Sequence, residues 1–169
     1  QLPWNPMIGQ ILAHTPAWVF ALFLVLLVFG LMQTRTRTVR RIPALLLPAG
    51  MIALSLAGIQ SSFGLAPAPL ASWAVALAIA AMVGHAVFRD RRVSYDAAAK
   101  TYFVPGSWVP LAVIMAIFFA KYVYAVMNAL NAAVVSTPLF VLGVSAVYGV
   151  LSGYFAARAL NLIGLTQEA

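Results

Sequence analysis

The run FFAKYVYAVMN, residues 118–128, sets a lysine, Lys121, among aromatic and aliphatic residues. An ammonium in such a setting is suited to holding an anion, because a charge interacts most strongly where water is scarce. Tyr124 and Asn128 follow at i+3 and i+7, so a helix would carry all three toward one face. These three are the candidate ligand-binding residues: Lys121 for charge, Tyr124 and Asn128 for hydrogen bonds. Ser55 and Gln60, from an earlier apolar run, are further polar groups for a neighbouring helix to offer.

Other chemistries are harder to build. The histidines, His14 and His85, fall at opposite sides of the predicted bilayer, so they cannot share one haem within a monomer. His85 paired with its twin across a dimer is the remaining haem arrangement, and a hydrogen-bonded structural His85 is preferred. The chain has no cysteine, which removes disulfides, thiolate metal sites and thiol nucleophiles. No His/Asp/Glu cluster offers a metal site. Neither ALSLAG nor PGSW places its serine in a nucleophile elbow, and Walker and G-x-G-x-x-G motifs are missing. No catalytic residue, metal or cofactor is expected, and a non-enzymatic role is favoured.

The elements that hold Lys121 follow from composition. Of 169 residues, 64% are hydrophobic and 8% charged, with mean hydropathy +0.99. A soluble domain carries about 25% charged residues, so the solvent expected here is a bilayer. Five apolar segments, at about 16–33, 42–60, 70–88, 108–128 and 138–160, predict an all-α transmembrane bundle forming one domain over 1–169. Each approaches the roughly 20 residues that cross about 30 Å of hydrocarbon as a helix. Thr15-Pro16 and Thr137-Pro138 read as N-caps followed by first-turn prolines. Pro48 falls inside a span and predicts a bend there.

Charge sets the expected orientation. Arg35, Arg37, Arg40 and Arg41 occupy the first loop, Arg89, Arg91, Arg92 and Lys100 the third, and Arg158 the end of the last span. The N-terminal 15 residues and the other two loops have no basic residue, which predicts the N-terminus outside and the C-terminus inside a bacterial inner membrane. Trp4, Trp18, Trp73 and Trp108 fall at predicted interfaces. The net charge of +7 therefore reads as a topology signal and lipid-headgroup contact, and no nucleic-acid partner is expected.

Four shorter features complete the reading. Gln1 is not an initiator methionine, so Met7 is a candidate start unless the chain is trimmed. Within NPMIGQILAHTP, Met7, Ile8, Ile11 and Leu12 form one face of a short surface helix, or the segment is a simple tail. The third loop, RDRRVSYDAAAKTYFVPGS, predicts a short β-hairpin turning at DAAAK, with Asp90 and Asp96 in local ion pairs. Ser145, Gly149, Gly153 and Ala157 make a small-residue stripe, echoed by Ala49, Ala53, Ala57 and Ser61. Such a stripe packs a helix inside its own bundle, the preferred reading, or forms a homodimer interface.

Lys121 lies 13 residues beyond Trp108, so about 20 Å along its helix. Snorkelling is awkward, because helical side chains lean toward the N-terminus and here that points back into the membrane. Asp90, Asp96 and Glu168 are all expected on the cytoplasmic side, out of reach. Three solutions stay open: a cradle of hydroxyls, amides and carbonyls, a neutral amine, or an anion from a ligand, lipid or partner subunit.

The run SYDAAAKTYFVPGSWVPLAVIMAIFFAKY, with ILAHTPAWVF and ALSLAGIQSSFG before it, resembles a family of uncharacterised small proteobacterial inner-membrane proteins. About a third of the chain is also similar in pattern to the CcdC family associated with cytochrome c biogenesis. Neither resemblance implies an activity, and the lack of cysteine argues against thiol-redox chemistry. The first expectation is an accessory, assembly or scaffolding subunit of the membrane. The alternative is a small dimeric carrier or binding protein that takes an anionic or lipid-like ligand at Lys121.

Overall fold

Apolar stretches that satisfy their own backbone groups become helices, and here they do so along nearly the whole chain. The structure, a computed structural model, describes residues 4–87, 89 and 92–168, the side chains of residues 4–6 and 132 excepted. Its helices are α1 (Trp4–Ala13), α2 (Ala17–Met32), α3 (Arg41–Phe63), α4 (Pro67–Val87), α5 (Val109–Leu130), α6 (Ala132–Val135) and α7 (Pro138–Glu168). Helices α3, α4, α5 and α7 are each long and apolar enough to cross a membrane. The first predicted span differs. Helix α2 has 16 residues, about 24 Å, and reaches the length of a span only together with α1, from which it is bent by 92°.

That corner has a local cause. Thr15 does not cap α2; its hydroxyl donates back to the Ile11 carbonyl at 2.7 Å and closes α1 instead. Thr137 behaves alike, donating to the Val134 carbonyl at 2.8 Å ahead of α7. In both places the hydroxyl satisfies a carbonyl left open at the end of the preceding helix. Helix α3 continues through Pro48, which is buried. At its end Gly64 takes φ +68, a conformation costly for a residue with a Cβ, and its N–H closes on the Gln60 carbonyl.

The bundle packs around Leu26, Met51, Ile114, Ile117 and Phe155, contributed by α2, α3, α5 and α7. Gly149 and Gly153 of α7 lie against the α4 backbone near Trp73 and Leu77, and Ser145 and Ala157 are buried on the same helix. Trp73 is not simply interfacial. Its indole donates to Ser55 Oγ at 2.9 Å, and Ser55 in turn donates to the Tyr148 carbonyl at 3.3 Å, tying α4, α3 and α7 together. Trp18 and Trp108 are exposed.

The hairpin is present as β2 (Ser94–Asp96) and β3 (Thr101–Val104), paired antiparallel. Asp96 Oδ1 accepts the N–H groups of Ala98 and Ala99 at 2.9 and 3.2 Å, so it shapes the turn by a side-chain to backbone bond. Lys100 completes the turn at φ +53. Asp90 lies outside the described residues. A third strand, β1 (Arg37–Arg40), comes from the first basic loop and pairs with β3, giving the order β1-β3-β2. The pairing has a physical reason: two strands alone are marginal, and TRTVR is extended enough to supply a third.

Helix α7 runs beyond the predicted end at 160. Its 31 residues span about 46 Å, well over the bilayer core. The extra turns support the sheet: Leu162 packs on Tyr102 and Val104, and Tyr102 Oη donates to the Leu162 carbonyl at 2.9 Å. Burial raises the Tyr102 phenol above its usual range, partly offset by Thr166 and Arg41. A raised phenol means that the folded state holds the proton more tightly. This contribution is therefore complete below about pH 10 and is lost as pH climbs through the folded value. Tyr102→Phe removes one buried hydrogen bond, about 1 kcal/mol, and should lower the thermal midpoint in mild detergent by about 2–4 °C.

Candidate functional site

Lys121 sits on α5, which packs beside α2 through Phe23 and Phe118, ring centroids 5.3 Å apart. Between these helices, α1 and Tyr148 of α7 lies a cavity of about 510 Å³. Its walls are mostly apolar, with Leu22, Leu26 and Leu54 opposite Ile117 and Phe118. The corner between α1 and α2 brings Met7, Gln10, Ile11 and His14 onto the same cavity. The short surface helix thus becomes one wall. A pocket of a few hundred Å³ with few polar groups is the usual form of a small-ligand site.

The polar groups are sparse and placed. Lys121 Nζ donates to Ser61 Oγ at 3.2 Å, and no carboxylate meets it among the described residues. Thr15 Oγ1 and Tyr122 Oη are 3.0 Å apart and link the α1–α2 corner to α5. His14 Nδ1 is 2.7 Å from the Gln10 carbonyl, so that ring nitrogen donates back to the last turn of α1. Tyr148 also lines the cavity, and its hydroxyl is buried without a hydrogen-bond partner among the described residues. Leaving such a group unpaired costs about 1–3 kcal/mol.

The three expected ligand residues do not share this site. Lys121 lines the cavity, whereas Tyr124 turns toward α3, donating to the Ser62 carbonyl at 2.9 Å and stacking edge-on with Phe63. Tyr124 also lines a second apolar groove of about 500 Å³ between α5 and α7, with Phe119, Phe140 and Val147. Asn128 is exposed. Ser61 replaces Ser55 and Gln60 as the partner of Lys121, since Ser55 is committed to Trp73. Ser61, Tyr122 and Tyr148 were missed. Ser61 was visible only as a small residue, and Tyr148 stands beside the glycine stripe with nothing in its neighbours to mark it.

The histidines are far apart in role as well as sequence. His85 Nδ1 meets Asn161 Oδ1 and so ties α4 to α7. Among the described residues no group of three His, Cys, Asp or Glu side chains is placed to hold a metal ion. Arg89 and Glu168 form an exposed ion pair at 2.9 Å, the kind that contributes at most about 1 kcal/mol.

The profile of DUF6622, a family of unknown function, matches residues 3–169. No curated protein and no solved structure matches the chain.

Proposed function

From the premise that this chain belongs to the DUF6622 family, whose function is unknown, we propose that it is a membrane-embedded binding protein for an anionic amphiphile. The ligand is a long-chain carboxylate or a similarly charged lipid-like molecule. One observation carries this reading: a lysine with a single hydroxyl partner among the described residues, on the wall of an apolar cavity of about 510 Å³. The ammonium holds the headgroup, the leucine and phenylalanine walls take the chain, and the Tyr148 hydroxyl gains a partner that it lacks among the described residues.

The proposal places the protein in a bacterial inner membrane, with the N-terminus outside and the arginine-rich sheet inside. Exposed Phe20, Leu24, Val28, Ile79, Met82 and Leu139 support lipid as the surrounding solvent. The small-residue stripe offers no free face for an accessory or scaffolding role, since Gly149 and Gly153 lie against α4 of the same chain. The CcdC resemblance adds no chemistry, for the chain has no cysteine.

A matched pair of probes tests the reading. A fluorescent long-chain fatty acid and the alcohol of equal length are titrated into the purified protein in mild detergent. The acid should bind about tenfold or more tightly, the effect of one charge-assisted hydrogen bond. Equal affinities would remove Lys121 from the role, and no saturable binding of either would remove the site.

A further inference from the structure

A basic cluster lies where α2 meets the sheet, and the ligand cavity makes no use of it. Gln33 follows α2 directly and is only 6% exposed. Its side-chain oxygen accepts from two guanidinium groups, Arg37 Nη2 at 2.6 Å and Arg158 Nη2 at 3.3 Å. Arg37 Nη1 also donates to the Met32 carbonyl at 3.0 Å, which fixes its fork. The position of Gln33 is itself held, because its backbone carbonyl accepts the Ser107 N–H at 3.0 Å.

This arrangement is electrostatically incomplete. Two cations share one neutral oxygen, both are half-buried, and neither meets a carboxylate among the described residues. Burial, then the Arg158 charge, make the charged form of Arg37 less favourable than usual. A guanidinium has five donors in a planar fork, and the bonds to Gln33 and Met32 engage two of the five on Arg37. The Tyr154 hydroxyl is a hydrogen-bond partner of Arg158 and is not a carboxylate. Two converging forks at a bundle end are the usual geometry for a phosphate.

The structure assigns to Arg37, Arg158 and Gln33 a site for a phosphate group, which bridges the two guanidinium groups beside the end of α2. Exposed Arg35 and Arg40 in the same loop and strand would put that group at headgroup level, where basic pockets between helices take anionic lipids. The phosphate has two sources of equal chemistry, a phosphodiester of an anionic phospholipid or free inorganic phosphate.

Native mass spectra and thermal midpoints of the full chain in mild detergent separate these sources. With an equimolar mixture of phosphatidylglycerol and phosphatidylcholine, the wild type should retain the anionic lipid about tenfold in excess. Arg37→Gln with Arg158→Gln should bring the two lipids to parity. Arg35→Gln with Arg40→Gln removes the same charge and should keep the preference. Without added lipid the R37Q/R158Q protein should melt no earlier than wild type, because a repulsion has been relieved. Protection of the wild type by phosphatidylglycerol alone identifies the lipid headgroup, and equal protection by inorganic phosphate identifies the free ion. The assignment is overturned if the wild type prefers neither lipid and gains nothing from phosphate. It is equally overturned if R37Q/R158Q keeps the preference, or if both double variants lose it alike.

Discussion

Gly153→Leu should prevent the bundle from assembling. A Cβ at Gly153 would stand 2.8 Å from the Leu77 carbonyl oxygen and would overlap Ala80 Cβ, both on α4. Ordinary contact begins near 3.4 Å, and the obstacle is largely backbone, which cannot rotate away as a side chain can. Gly149 meets α4 in the same manner, with Ala76 Cβ at 2.8 Å from its would-be Cβ. Overpacking costs about 1–3 kcal/mol where side chains can adjust. Wedging apart two helix backbones costs more, a large share of a typical stability of about 5–15 kcal/mol. The matched control is Gly143→Leu on the same helix, since a Cβ there meets nothing within 4 Å. Size-exclusion profiles and thermal midpoints in mild detergent should show G143L near wild type and G153L aggregated or unfolded. Equal stability of the two would contradict the close approach of α4 and α7.

Lys121→Met carries the second large effect, on binding and not on folding. Methionine keeps the length and apolar stem of lysine and loses the ammonium, so the cavity wall stays filled. The bond lost in the free protein is one at 3.2 Å to Ser61 Oγ, and the cost of an ionised group near lipid disappears with it. The thermal midpoint should therefore hold or rise. Affinity for a long-chain carboxylate should fall about ten- to a hundredfold, the range of a charge-assisted hydrogen bond, while the matching alcohol is unaffected. A carboxylate that binds K121M as tightly as wild type would show that the headgroup lies elsewhere.

The helical segments were legible because each reads as a continuous apolar run bounded by prolines or arginines. The hairpin was legible from DAAAK between two β-branched and aromatic stretches. Its third strand was not, because TRTVR shows its arginines first, and strand partners far apart in sequence leave no local trace. The end of α7 was placed early for a related reason. Hydrophobicity falls after Leu160, but the helix continues to give Tyr102 and Val104 something to pack on.

At the site, Lys121 was legible as a charge out of place and its surroundings were not. Helical spacing sets Tyr124 about 60° round the helix from Lys121. On a helix with different neighbours on either side, that angle is enough to send one residue into the cavity and the other toward Ser62 and Phe140. The cavity itself depends on the 92° corner at Thr15, and a Thr-Pro pair reads equally well as a plain helix start.

The sheet has a bearing on the order in which the chain matures. Arg40 pairs with Thr101, and between them lie α3 and α4. A ribosome releases β1 long before β3, so the α3–α4 hairpin must leave the tunnel while its base is still unfastened. Only when β3 emerges does the strand pairing draw the two ends of that hairpin together. Only when the last turns of α7 follow does Leu162 arrive to lock β3 in place. The sheet is thus a clasp that waits for α7, and a chain truncated after α6 would carry all three strands without the Leu162 that holds β3.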